Sequence, residues 1–505
     1  MLNEQEQQVA QIALVAGIPS LCWATAATLT HTLQLPLHTK SLVAAIKASP
    51  DNPVLMGATI AGLAVGFAGA YAVKKLNETE FAGASFSRYL RGTQLVSSAN
   101  LTRMTRNKKQ QQVTVAGVPI PHEVEGRHLL ICGSTGTGKT VAITEIITGL
   151  IKRRDRTVIV DPDGAMLSRF YFPGDIVLNP FDTRSPGWSI FNEIRNPYDY
   201  ERISRSVIPV SDNKQQEEWN GYARSLFAET ARKLKEMDKA NINELLHWLL
   251  VAPVEDLKVL LSDTPAQGFF QEGAEKAFGS VRFILTQYLT PQKYVSAGDF
   301  SLRTWLESGK GNLYITWRDD MTASLRPLIS AWADILCSAV LSLTPDPQRR
   351  ISILLDELAT LERLSSLEDA ATKGRKYGLR LYAALQSTSQ LDDKFGVHGA
   401  TTIRSCFRSM LVLGGTRIDG KTAEDLSRAL GEHEVERVQK SHSSSARGDS
   451  ANHSSRPVRE RVVIPAEIAG LPDLTGYLAF AGDWPIAKVR LKPRNYPVRV
   501  DAFDE

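Results

Sequence analysis

Residues 128–140 read HLLICGSTGTGKT. A short apolar run, His128 to Cys132, leads into Gly133-Ser134-Thr135-Gly136-Thr137-Gly138-Lys139-Thr140. That is the G-x-x-x-x-G-K-T spacing of a phosphate-binding loop. Glycines at these positions let backbone N–H groups wrap around phosphate oxygens. Residues 141–153 have helical spacing, so the N-terminus of a helix adds its dipole to the same anion site. All eight loop residues are therefore candidate nucleotide ligands. Lys139 is expected to meet the β- and γ-phosphates and Thr140 to ligate Mg²⁺.

Reading outward, residues 157–160 form a second β-rich run that ends at Asp161-Pro162-Asp163-Gly164. Strand, loop, helix and strand make a βαβ unit, which predicts an α/β fold on a mostly parallel sheet. Asp161 then falls at the carboxyl edge of the sheet, where ligands bind, and it joins the candidate nucleotide site. Far downstream, Ile351-Ser352-Ile353-Leu354-Leu355-Asp356-Glu357 is an apolar strand ending in two carboxylates. Asp356 is expected to hold Mg²⁺, directly or through water. Glu357 is expected to act as general base toward the attacking water. Ala383-Ala384-Leu385-Gln386 ends another strand candidate, and Gln386 there can sense the γ-phosphate or orient water.

Roughly 200 residues separate the phosphate loop from Asp356, too many for one crossover. Segments 217–237, 241–250 and 273–288 carry apolar residues at helical spacing. Residues 183–297 are accordingly expected to form an all-α domain inserted into a nucleotide-binding domain of residues 85–182 and 298–505. Residues 440–457 read KSHSSSARGDSANHSSRP, a Ser-rich stretch without core residues that is expected to be a flexible loop or linker. Arg103, Arg106, Lys108 and Lys109 cluster in a polar stretch that could touch anionic lipid or nucleic acid, or simply be solvated.

Residues 12–29 and 54–73 contain no charged residue, and each has the length a helix needs to cross a bilayer. Nothing before Lys40 is Lys or Arg, which argues against a signal peptide. Residues 1–84 are thus expected to be a two-helix transmembrane anchor. Lys74, Lys75, Arg88 and Arg91 follow the second span and favour a cytoplasmic body with both termini inside. Gly62 and Gly66 form a G-x-x-x-G suited to close helix approach, between spans or between subunits.

Composition excludes other classes. The 505 residues are 43% hydrophobic and 23% charged, which is globular rather than disordered or coiled-coil. Four cysteines, none in C-x-x-C, exclude a disulfide scaffold and a cysteine-rich zinc site. The net charge of +4 does not by itself mark a nucleic-acid binder. Asn213-Lys214-Gln215-Gln216 breaks the N-K-x-D guanine pattern, leaving ATP as the expected nucleotide.

Taken together, the paired spans, GSTGTGKT, VIVDPDG (158–164), LNPFDTRSPGWSIFNEI (178–194), ILLDELATL (353–361), GRKYG (374–378) and ALQSTSQL (384–391) resemble the type IV coupling proteins of bacterial conjugation, the TraD/TrwB-like group. The resemblance implies a RecA-like inner-membrane ATPase, assembled as a homo-hexameric ring. It implies a link between a relaxase–DNA complex with its auxiliary relaxosome proteins and the subunits of a type IV secretion channel. DNA, single- or double-stranded and not read by sequence, would pass through the ring. Lys139, Thr140, Asp356, Glu357 and Gln386 take the ATPase roles above. A ring motor adds an arginine finger from the neighbouring subunit, for which Arg375 is the first candidate and Arg417 the second. Two other readings stand beside this one: an ATP-switched receptor for protein substrates of the same secretion system, and an FtsK-like DNA translocase.

Overall fold

The structure, a computed structural model, describes residues 9–30, 39–77, 88–271, 273–415, 419–445 and 448–504. By its internal contacts the chain divides into two compact units: residues 1–92 with 432–460, and residues 93–431 with 461–505.

In the first unit, Val9–Leu29 and Pro53–Val73 are helices of 21 residues, long and apolar enough to cross a membrane. They pack on one another through the glycines. A Cβ on Gly62 would lie 2.7 Å from the Pro19 Cα, and one on Gly66 2.6 Å from the Leu14 carbonyl oxygen. Of the two roles open to the G-x-x-x-G, the structure shows contact between the two spans. The unit also holds a three-stranded sheet, in which Arg88–Gly92 pairs antiparallel with Glu432–Ser445, and that strand pairs with Gly448–Arg461. The Ser-rich stretch expected to be a flexible linker therefore lies largely in an extended hairpin. Strand pairing is made by backbone groups, so a run of serines with no apolar face can still form a ladder. The same hairpin, counted in sequence with the nucleotide domain, belongs to the N-terminal unit.

The second unit is built on a ten-stranded sheet. In chain order its strands are β1 (Leu95–Ser97), β2 (Leu129–Cys132), β3 (Arg156–Pro162), β4 (Ile176–Leu178), β5 (Leu313–Trp317), β6 (Ile351–Leu355), β7 (Leu379–Leu385), β8 (Ser409–Leu413), β9 (Thr475–Ala479) and β10 (Ile486–Arg490). Across the sheet they run β1-β10-β9-β8-β2-β7-β6-β3-β5-β4. Only β9 is antiparallel to its neighbours. The central strands are buried on both faces, in keeping with their largely apolar sequences. Side chains alternate between two cores. Leu129 and Ile131 face the phosphate-loop helix Lys139–Arg153, whereas Leu130 and Cys132 face the opposite side.

On that opposite side the apolar core runs without interruption from the strands, through the helix Thr322–Val340, into the helices of residues 199–289. The ends of this helical insertion meet. The Trp188 N–H donates to Ser296 and the Phe300 N–H donates to Gly187. Glu193 is fully buried there. It accepts from the Trp188 indole at 2.9 Å and from the backbone N–H groups of Leu302 (2.7 Å) and Arg303 (3.0 Å). A carboxylate on the first turn of a helix satisfies donors that have no partner within it. The GWSIFNE stretch thus pins the root of the insertion to the sheet.

Candidate nucleotide site

β2, β6, β3 and β7 end at the same edge of the sheet. Cys132 lies level with Leu385 and Val412, and Leu355 with Val160 and Ala383. This register brings the phosphate loop beside Asp161, Asp356, Glu357 and Gln386, residues spread over more than half the chain. Neighbouring strands hold the loop open: the Gly133 N–H donates to Leu385, Ser134 to Gly414, and Leu474 to the Thr137 carbonyl. Gly138 enters the helix at φ 112°, a conformation that L side chains rarely adopt.

Lys139 is half-buried. Its Nζ donates to the carbonyls of Gly133 (2.8 Å) and Ser134 (3.1 Å). Burial lowers its pKa, against the opposing pull of Glu357 and Asp356. Burial also raises the Asp356 carboxyl to about 6, helped by the charge of Glu357. Glu357 is raised by burial too, with a hydrogen bond from Gln386 acting the other way. The Gln386 Nε2 donates to the Glu357 Oε2 at 3.1 Å, and the Thr135 hydroxyl donates to the Gln386 Oε1 at 3.5 Å. A polar chain therefore runs from the phosphate loop to the second carboxylate. The Glu357 Oε1 is buried and has no protein partner.

Asp161 is completely buried. Its Oδ2 accepts from the N–H groups of Met166 (2.9 Å) and Leu167 (2.7 Å), while its Oδ1 has no partner. Burial pushes its pKa up to about 7. Its place is beneath the site, holding the turn after β3, rather than on the open surface of the loop.

Arg375 is not gathered with these residues. It is exposed, in the turn Gly374–Tyr377 before β7, whereas Gln386 follows β7. A strand of seven residues at about 3.3 Å each separates them, roughly 20 Å. Arg417 lies outside the described residues.

The opposite edge holds a buried charge network that carries no motif. Arg153 binds Glu125 (2.6 Å) and Asp155 (2.6 Å), and Arg380 binds Glu125 (2.9 Å). Beside it, the His128 Nε2–H donates to Ala371 and its Nδ1 accepts from the Leu381 N–H. Burial lowers this imidazole to about 4. Contacts between residues 255 positions apart, such as Glu125 with Arg380, leave no local pattern to read.

The donor set fits a nucleoside triphosphate with Mg²⁺. A glycine-rich loop opens a helix, with a lysine beside two carboxylates, one of which keeps a buried oxygen free. Among the described residues no group of three His, Cys, Asp or Glu side chains forms a metal nest. Mg²⁺ is held by one or two carboxylates together with substrate phosphates, and Asp356 and Glu357 stand beside Lys139.

Fold and site together define a P-loop nucleotide-binding protein with a helical insertion. The model of the type IV secretion-system coupling protein DNA-binding domain matches residues 112–492, and the chain belongs to that family. It is 52% identical to the coupling protein TrwB in its solved structures. One, of an N-terminally truncated form, superposes with a TM-score of 0.80 over 84% of this chain and 99% of that one. Another, in complex with ADP and Mg²⁺, gives 0.79 over 85% and 100%. Coupling protein TraD of Escherichia coli (strain K12) is 28% identical over 413 residues, 78% of this chain and 56% of that protein.

Proposed function

We propose that this protein is a membrane-anchored, Mg²⁺-dependent ATPase that couples a relaxase–DNA complex to a type IV secretion channel in bacterial conjugation. The observation that carries the reading is the meeting of Lys139, Asp356, Glu357 and Gln386 at one sheet edge, in a chain belonging to the coupling-protein family. Lys139 and the loop N–H groups hold the phosphates. Thr140 and Asp356 hold Mg²⁺, which supplies charge neutralisation on the phosphates. Glu357 takes the proton of the attacking water, and Gln386 fixes the Glu357 carboxylate through its amide. Asp161 positions the turn that backs the site. Arg375 serves the site of a neighbouring copy in a homo-hexamer, a role supported by its exposure and its distance from its own phosphate loop. The spans 12–29 and 54–73 anchor the protein in the inner membrane with both termini cytoplasmic, and the insertion 183–297 is the substrate-sensing part. DNA, relaxase, auxiliary relaxosome proteins and channel subunits are the partners.

The test is ATP turnover of the detergent-solubilised full chain with and without DNA, at low and moderate salt, with Lys139→Ala as the blank. Turnover that DNA stimulates and salt suppresses is expected. Turnover indifferent to DNA would favour the receptor for protein substrates.

A further inference from the structure

Beside the nucleotide site the second unit carries another concave surface, a groove of about 750 Å³. It lies between the helix Ser98–Thr105, the turn at Ala116–Gly117, the phosphate-loop helix and the chain leaving β10. Arg103, Arg106, Lys108, Arg490, Lys492 and Arg494 line it. Among the described residues none of the six makes an ion pair or a side-chain hydrogen bond. Buried arginines of this unit such as Arg153, Arg303 and Arg380 meet carboxylates, and partly exposed ones such as Arg349 rest on backbone carbonyls, whereas these six converge on one surface with neither. The one carboxylate in the groove, Glu145, is already engaged by the Thr114 hydroxyl and the Gly117 N–H. Six exposed like charges converging on one concavity repel each other, and a polyanion relieves that repulsion.

The lining indicates which polyanion. The uncharged positions are small (Ser98, Ala99, Thr102, Ala116, Gly117) and the lining holds no aromatic side chain. The groove therefore offers charge and room for a phosphate chain but no platform for base stacking. Its location also discriminates. Arg490 lies opposite Thr475, and Gly476 opposite Leu413, so β10 ends at the edge that carries the phosphate loop. Leu491, between two of the cations, packs under Gly138, where a Cβ would meet its Cδ1 at 2.9 Å. A polyanion held at the edge that carries the phosphate loop, in a chain of the coupling-protein DNA-binding family, is a nucleic-acid backbone rather than a lipid headgroup.

We propose that this groove is a docking site for the phosphodiester backbone of DNA, set against the phosphate loop; the proposal rests on the DNA-coupled reading above. The test is fluorescence anisotropy of a labelled random-sequence duplex with the full chain in detergent, across a KCl series. The variant combines Arg103→Ala, Arg106→Ala, Arg490→Ala and Lys492→Ala, and its melting temperature reports the fold. For the unaltered protein, log K against log salt is expected to slope at about −5, from six phosphate contacts. The variant should bind at least tenfold more weakly at moderate salt, its slope reduced by about 3 to 4. Should it fold poorly, Ala99→Glu places a negative charge in the groove without removing a cation, and the same weakening is expected. Equal affinity and slope for variant and unaltered protein would overturn the groove while leaving DNA coupling intact. An unaltered protein that binds no DNA would overturn both. If cardiolipin in the micelles raises the melting temperature of the unaltered protein but not of the variant, and DNA affinity is the same for both, the occupant is lipid and the proposal fails.

Discussion

The two edges of the central sheet carry the same kinds of side chain in opposite states. At the edge where β2, β3, β6 and β7 begin, every partner of the Glu125–Arg153–Asp155–Arg380 network is buried and matched, several of them bidentately. At the edge where they end, a lysine rests on loop carbonyls and two carboxylates lie side by side. Oxygens of Asp161 and Glu357 are buried without a partner. Matched charges hold a fold in one arrangement. Charges left with free valence are poised to receive a ligand, because a buried polar atom without a partner is costly. At the nucleotide edge the unpartnered oxygen of Glu357 lies beside Gln386 and the phosphate loop, where a ligand can reach it.

The contrast can be broken most forcefully at Lys139. Lys139→Ala should lower ATP turnover by about a hundredfold or more, by removing the charge that meets the phosphates, with little change in thermal stability. Arg375→Ala should be just as inactive, and mixing the two variants should restore turnover above either alone, since each supplies what the other's interface lacks. Mixtures that stay inactive while each variant assembles normally would remove Arg375 from the reaction. Next, Glu357→Gln should bind ATP and hydrolyse it about 100-fold more slowly, the usual contribution of a positioned base; single-turnover kinetics would read this, and unchanged turnover would mean another base.

The opposite edge should answer in stability rather than in rate. Glu125→Ala leaves buried Arg153 with Asp155 alone and Arg380 with two backbone carbonyls, and should cost about 3 kcal/mol, seen as a fall in the urea midpoint. His128 should give the smallest effect. Its folded pKa lies below the ordinary histidine value, so its contribution is present above about pH 6.5 and is lost as pH falls toward 4. Between pH 6.5 and 5 the unaltered protein should lose up to about 2 kcal/mol on this account. His128→Gln should flatten that part of the pH profile, and an unchanged profile would mean that the ring is not held neutral.

The sequence by itself determined the nucleotide site. GSTGTGKT, the Asp-Glu after ILL and the Gln after AAL are short, contiguous signals in which strand, turn and helix follow one another, so chemistry and local geometry are encoded together. The two long apolar helices were legible for a like reason, since uncharged runs of 18 and 20 residues have the length that a bilayer crossing needs. Only the tertiary structure decided what depends on pairing across the chain. The Ser-rich stretch becomes a hairpin through backbone hydrogen bonds that its side chains do not announce. Asp161 sinks beneath the site because the turn after β3 folds over it. Arg375 falls at the far edge because a parallel strand carries its two ends apart. And the basic cluster at residues 103–108, legible in sequence, is joined in one groove by cations from 490–494 because β1 and β10 lie side by side.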